Sequence, residues 1–312
     1  MGAIVMTPAI IILNWNNFDD TNECLSSLYK ADLCEGFIVL VDNGSQDGSY
    51  EKLRQKWSYW KAIHWIKNKE NLGFAGGNNV GIQYALAKGA EYIMLLNNDT
   101  VVDPDFLKPL IKYMATNDNV GIVGPKIFLY SDPNRFQAVG CQLSMATGRF
   151  GPIGGGQRDN GQYNVARDCA YLSGAALMIS RKCIERTGLL EEDYFAYCEE
   201  VDLCLRARVA GFKIVYIPNS KIWHKVSSST KRLKKGSSLQ LYFTFRNKII
   251  FYRKHAKLWH WITFLPLHFY RALRIIVNSE ISDCKAVIKG IVDGMLGRGG
   301  KPFLLKKENG QN

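Results

Sequence analysis

Four short and almost unbroken apolar runs constrain this chain more than any other feature: AIIIL at residues 9–13, FIVLV at 37–41, AIHWI at 62–66 and YIMLL at 92–96. Runs of this length and composition predict strands buried on both faces, as in a parallel sheet covered by helices. The segments between them read as those helices, at residues 20–30, at 49–57 after a DGS turn, and at 79–88, where Gly89 closes the last one. The result is a βαβαβ pattern in which polar residues follow the strands. Open α/β sheets bind their ligands at such strand ends, so the first hundred residues predict a nucleotide-binding half.

Further along, Asp103 can cap a helix that has Pro104 at its first position and runs to Thr116. The Gly-rich stretch 140–161 predicts a hairpin or a mobile loop, and YLSGAALMIS predicts a strand. EEDYFAYCEEVDLCLRARVAG then reads as a loop entering a helix that ends near Gly211, followed by the strand KIVYIP. Composition shifts at Ser227. We place a boundary near Ser228, giving a catalytic-type domain at 1–228 (donor half 1–100, acceptor half 101–228) and a tail at 229–312. Residues 1–205 carry 18 Lys/Arg against 24 Asp/Glu, whereas the remainder carries 22 against 4. That asymmetry points to an anionic partner for the tail.

The eight cysteines show no CxxC pair, which reads as reduced thiols in a cytosolic protein. The first residues, MGAIVMTPAIIILNWNN, lack a basic n-region and read as a strand rather than a signal peptide. No apolar run approaches the roughly 18 to 20 residues of a spanning helix. A cytoplasmic location is the expectation.

LNWNN, VDNGSQDGS and NLGFAGGNNVG each follow a predicted strand and so can converge on one sheet edge. Asp42 can accept hydrogen bonds from a base or ribose, Asn14 and Asn16 can act similarly, and a loop at 73–77 lets a phosphate approach the backbone. Such Asn/Asp/Gly-rich loops also serve simply as turns. GFAGGN does not fit GxGxxG, which argues against a nicotinamide-dependent dehydrogenase. LLNNDT puts Asp99, with Asn97 nearby, at a strand end, where a carboxylate can hold a divalent cation against a diphosphate. An Asx turn is the alternative there. Glu199, Glu200 and Asp202 cluster where a helix begins, and its macrodipole favours ionised carboxylates ready to take a proton. Helix capping is the plainer reading of the cluster. His224 follows a strand and can be a metal ligand or a core histidine.

Taken in order, ILNWN, VDNGSQDGS, NLGFAGGNN, LLNNDT, SGAALMISR and EEVDLCLRARVAGFKIVYIPNSKIWH resemble glycosyltransferase family 2, within it the rhamnosyltransferase-like branch, over residues 8–230. The resemblance implies an α/β fold: a GT-A-type nucleotide-diphosphate-sugar-binding domain with a mostly parallel central sheet, followed here by a basic, largely helical extension. It implies a donor nucleotide near Asn14, Asn16, Asp42 and Ser45, with Gly76, Gly77, Asn78 and Asn97 beside the donor. It further implies a divalent cation, Mg²⁺ or Mn²⁺, on Asp99 and His224, and Glu200 as base with Glu199 as its neighbour. Two positions depart from the family pattern: the metal motif, often Asp-x-Asp, is Asn97-Asn98-Asp99, and the acidic pair, usually Glu-Asp, is Glu199-Glu200.

The expected activity is therefore inverting sugar transfer, with rhamnose from dTDP-rhamnose as the first donor and UDP-hexose or UDP-GlcNAc as alternatives. A glycan or polyprenyl-diphosphate-linked acceptor in cell-surface polysaccharide synthesis is implied. LWHWITFLPLHFYRALRIIV at 258–277, with Arg271 and Arg274, and the upstream Lys231, Arg232, Lys234 and Lys235 suit helices lying on an anionic membrane surface. Packing on the catalytic domain, or a dimer contact, is the alternative. No nucleic-acid partner is expected, although a non-catalytic basic module with a degenerate sugar-nucleotide domain is a reading of another class.

Overall fold

The computed structural model describes residues 7–225 and 238–302. Strands β1 (Pro8–Asn14), β2 (Phe37–Asp42), β3 (Ile63–Lys67) and β4 (Tyr92–Asn97) run parallel, matching the four apolar runs. Because successive side chains point to opposite faces, Ile11, Val39, Val41, Ile93 and Leu95 enter one core. Ile10, Ile12, Ile38, Leu40, Met94 and Leu96 enter a second core behind the sheet. Helix α3 (Gly73–Ala87) covers the first face, and α1 (Phe18–Leu28) and α2 (Ser49–Lys56) cover the other. The strand order β3-β2-β1-β4 reverses its direction of growth at β1, and at such a switch point the carboxyl ends of two strands open a crevice.

The second half extends the sheet past β4. It contributes β5 (Thr100–Val102), β6 (Val120–Leu129), β7 (Asp132–Ala138), β10 (Arg167–Asp168), β11 (Ala176–Ser180) and β12 (Lys213–His224), with β8 (Cys141–Ser144) and β9 (Arg149–Pro152) forming a separate hairpin. β11 lies antiparallel between β4 and β6, and β12 then runs parallel to β6. Helices α4 (Leu107–Ala115), α5 (Arg181–Thr187) and α6 (Glu199–Val209) complete this half. The extension is helical: α7 (Ser238–His255), α8 (Leu258–Asn278) and α9 (Ile281–Met295). Ile249, Ile250, Phe251 and Tyr252 of α7 and Phe264 of α8 join the main core, so the extension packs on the sheet domain.

Several boundaries differ from expectation for local reasons. Helix α3 begins six residues before Asn79, so the expected phosphate loop at 73–77 is the first turns of a helix. Helix α4 begins at Leu107 because the Asp103 carboxylate accepts the Asp105 N–H at 3.0 Å, closing a turn instead of capping the helix. Strand β6 escaped the sequence reading because Gly121, Gly124 and Pro125 interrupt it. The boundary near Ser228 and the basic run at Lys231, Arg232, Lys234 and Lys235 lie outside the described residues.

Candidate active site

At the carboxyl end of β1, the fully buried Asn14 amide donates to Asp42 Oδ1 (2.8 Å), Ser45 Oγ (3.2 Å) and Ser49 Oγ (3.1 Å), and its oxygen accepts from Thr21 (2.8 Å). Asp42 Oδ2 accepts the Ser45 N–H at 3.0 Å, and Ser45 Oγ accepts the Asn16 N–H at 2.9 Å. Asn16, at φ 49°, receives the Gln46 N–H on its side-chain oxygen. The structure thus brings Asn14, Asn16, Asp42 and Ser45 into one network whose pivot is Asn14. Asn43, which sequence reasoning missed, ties this network to α3 by donating to Asn71 Oδ1 and the Gly73 carbonyl, both at 3.0 Å.

The glycines of α3 serve close packing. Gly73 has φ +78°, and a Cβ there would meet the Phe195 carbonyl at 2.4 Å; a Cβ on Gly77 would meet Leu13 Cδ1 at 2.5 Å. Gly76 faces Leu72 and Glu192. Asn78 returns its amide to the Phe74 carbonyl at 2.9 Å. The neighbouring Asn79 holds both Leu190 and Glu192.

Asp99 and His224, 125 residues apart, meet at 2.9 Å through Oδ1 and Nε2. Register explains this: β12 pairs antiparallel with β5, setting His224 opposite Thr100, and the Lys225 N–H donates to the Asp99 carbonyl. His224 Nδ1 lies 2.8 Å from Gln137 Oε1, which orients the ring and leaves Nε2 turned to Asp99. One carboxylate and one imidazole nitrogen converging in a buried site could hold a borderline cation. Among the described residues no group of three or more His, Cys, Asp or Glu could hold a metal. Asn97 lies alongside, its N–H donating to the Ala175 carbonyl at 2.9 Å.

The acidic pair opens α6. Glu199 is buried and Glu200 half-buried beside Gly174; Oε2 of each is buried without a hydrogen-bond partner. Burial, then the Glu200 charge, pushes Glu199 well above the usual carboxylate range. Burial also raises Glu200, against the backbone N–H groups that hold it down. The expected ionising effect of the helix start is therefore outweighed by desolvation. Asp202 is different in kind: it accepts from His255 (2.6 Å), Arg206 (2.7 Å) and Tyr194 (3.2 Å). Burial alone would raise it, but His255 and Arg206 hold it below its ordinary value, so it is a fixed anchor and no reserve base.

The approach to the pair is strained. Phe195, Tyr197 and Cys198 have φ of 62°, 69° and 81°, and the Ala196 N–H bonds back to Tyr194 at 2.7 Å in a γ-turn of the rarer hand. Non-glycine residues keep such angles only when their surroundings over-determine them. Here α7 supplies the surroundings. The fully buried Arg246 donates to the carbonyls of Asp193 (3.1 Å), Tyr194 (2.8 Å) and Gly300 (2.7 Å), and the fully buried Asn247 donates to Tyr194 (3.0 Å), Ala196 (2.7 Å) and Tyr197 (2.7 Å). Sequence reasoning missed both; the available signal was a polar pair inside the apolar helix FTFRNKIIF.

A sheet whose growth reverses at β1, with polar side chains gathered at the carboxyl ends of its strands, is the arrangement of a nucleotide-binding α/β protein. The profile of Glycosyl transferase family 2 matches residues 9–186, and the chain belongs to that family. It is 27% identical over 301 residues to the low-salt glycan biosynthesis hexosyltransferase Agl10 of Haloferax volcanii, covering 94% of this chain and 92% of that one. It is 25% identical over 215 residues to the N-acetylglucosaminyl-diphospho-decaprenol L-rhamnosyltransferase of Mycobacterium tuberculosis, covering 62% and 68%. Among solved structures, the Pyrobaculum calidifontis mannosyltransferase PcManGT, in complex with GDP-Man and Mn²⁺, superposes with a TM-score of 0.58 at 13% identity, over 92% of this chain and 86% of that one. The fold is GT-A and the chain is a glycosyltransferase.

Proposed function

We propose that the chain transfers a sugar, with rhamnose from dTDP-rhamnose as the first candidate, to a glycan or polyprenyl-diphosphate-linked acceptor with inversion at the anomeric carbon. The observation that carries this reading is the Glu199–Glu200 pair. Two buried carboxyl oxygens without partners are costly unless a substrate completes them, and Glu200 sits beside Gly174, one residue from the Ala175 carbonyl that receives the Asn97 N–H. The adjoining Gly174 and Ala175 thus link the proposed base to the proposed donor motif.

In this mechanism Glu200 takes the proton of the acceptor hydroxyl as its oxygen attacks opposite the leaving diphosphate. The raised pKa of Glu200 brings it closer to working pH, where a general base is most effective. Asp42 and Ser45, held by Asn14, receive the nucleoside, and Gly76, Gly77, Asn78 and Asn97 border the donor. Asp99 and His224 would hold Mg²⁺ or Mn²⁺, which when bound supplies charge compensation for the diphosphate. The L-rhamnosyltransferase relative supports rhamnose and a lipid-linked acceptor, the hexosyltransferase relative supports a hexose as the alternative sugar, and PcManGT, solved with GDP-Man and Mn²⁺, supports the cation.

The extension supports peripheral attachment to the inner face of the cell membrane. Leu258, Ile262, Phe269, Leu273 and Val277 of α8 are exposed, as are Ile281, Ile288 and Val292 of α9. Arg271 and Arg274 lie among the apolar residues of α8, an arrangement suited to an anionic interface. Among the described residues no helix is long and apolar enough to cross a membrane.

Glu200→Gln tests the assignment because it keeps shape but cannot accept the proton. Transfer should fall by about 10²- to 10⁴-fold while donor affinity and Tm hold. Glu199→Gln should lose less. If neither substitution slows transfer, the base lies elsewhere.

A further inference from the structure

Beside the acidic loop, three basic groups of the tail helices lie around the β8–β9 hairpin without an acidic partner among the described residues. Lys248 follows Asn247 on α7, and its ammonium lies 5.3 Å from the Phe150 ring centroid on β9. It forms no hydrogen bond or ion pair among the described residues, and its charge is felt at Cys198, the residue before Glu199. Arg271 of α8 donates through Nη1 to the Thr147 and Gly148 carbonyls at 3.1 and 3.4 Å, and it also has no carboxylate partner. His268, one turn before Arg271 and 1% exposed, has its Nε2 buried without a hydrogen-bond partner. The β8–β9 turn closes over this group, as Tyr252 donates to the Met145 carbonyl and Thr263 to the Ala146 carbonyl.

The electrostatics agree with that geometry. Burial, with Lys248 and Arg271 adding to it, pushes His268 down to about 4, and burial together with Arg271 lowers Lys248. Desolvated cations that repel one another and face no carboxylate are costly unless an anion joins them. The neighbouring charges offer none. Among the described residues no hydrogen bond or ion pair joins Glu199 or Glu200 to any of the three, and Asp202 is engaged by Arg206 and His255.

We propose that Lys248 and Arg271, with His268 beneath them, form a binding site for the phosphate or diphosphate that joins an acceptor sugar to its lipid. The assignment rests on the glycosyltransferase reading above for the choice of acceptor over donor. The donor diphosphate belongs at Asp99 and His224, and in-line attack needs the acceptor hydroxyl on the opposite face of the anomeric carbon, within reach of Glu200. The cationic group lies by the helices whose exposed apolar residues suit a lipid surface, so one bound molecule can place its sugar at Glu200, its phosphate at Lys248 and Arg271, and its chain at α8.

The test uses the full-length chain in EDTA, which silences cation-dependent diphosphate binding at Asp99, with farnesyl diphosphate, farnesol and inorganic pyrophosphate as calorimetric probes. Farnesyl diphosphate should bind the wild-type and Asp99→Ala proteins alike. Lys248→Met and Arg271→Met should each weaken it by about tenfold or more, as expected for losing a charge-assisted contact, and Lys248→Arg should restore most of the affinity. Farnesol binding should not respond to either change. Pyrophosphate binding with the same variant sensitivity would show recognition of the phosphate itself; insensitivity of every diphosphate probe in variants of unchanged Tm would overturn the site. Nucleotide-sugar hydrolysis by the same proteins, returned to buffer with Mn²⁺, separates the two claims: hydrolysis without farnesyl diphosphate binding removes this site and leaves the enzyme, whereas binding without any hydrolysis removes the enzyme reading.

Discussion

Glu199 and Asp202 stand three residues apart on one helix and make opposite demands on pH. Burial raises Glu199, so the native state holds a proton that the unfolded chain releases, and stability falls as pH rises above the ordinary glutamate value. Asp202, despite its burial, is held low by His255 and Arg206; its contribution is present above the unfolded aspartate value and is lost on acidification. Glu199→Gln removes the first demand only. Thermal melts at pH 5 and pH 8 should show a smaller drop for Glu199→Gln than for wild type, leaving the variant more stable by a few degrees at pH 8. Equal pH slopes would show that Glu199 is not a buried, unpartnered carboxyl.

Among the elements, the loop at 195–198 depends on α7, and that dependence predicts a specific phenotype. Asn247→Ala removes the donor to the Ala196 and Tyr197 carbonyls, at a cost of about 0.5–1.5 kcal/mol for each hydrogen bond lost. The loop should relax from its positive φ values and move Glu200. We expect kcat to fall by about tenfold or more with the donor KM nearly unchanged, since the donor network at Asn14 and Asp42 does not touch α7. A variant that lost donor affinity instead would show that the clamp supports the whole fold. The sequence made β1 to β4 legible because continuous apolar runs leave few alternatives, and it placed Asp99 and His224 together through the family motifs. Helix α3 hid its first turn because glycines that permit contact with Phe195 and Leu13 look locally like a loop. Arg246–Asn247 stands out as a polar pair in an apolar helix, but its role as a clamp is not legible, because its partners are backbone carbonyls some fifty residues away. The raised pKa of the acidic pair was misjudged because a helix start is visible in sequence and desolvation is not.

For the whole molecule, the extension works in two directions: α7 faces inward to hold the loop at 195–198, while α8 and α9 expose apolar residues outward. Sedimentation with anionic liposomes should decrease in high salt, where exposed charges are screened within roughly 10 Å at 0.1 M, and exposed Trp259 should retain a salt-resistant fraction. Equal binding to neutral and anionic liposomes would remove the electrostatic part. The central claim, that the crevice between β1 and β4 turns over a nucleotide-diphosphate sugar with a cation at Asp99 and His224, is tested most directly by nucleoside diphosphate release. Purified full-length chain would be offered dTDP-rhamnose, UDP-glucose, UDP-galactose, UDP-GlcNAc and GDP-mannose with Mg²⁺ or Mn²⁺. The account predicts cation-dependent release, first from dTDP-rhamnose, that Asp99→Ala lowers by about 10²- to 10³-fold; release from none of the donors, or full activity of Asp99→Ala in EDTA, would contradict it.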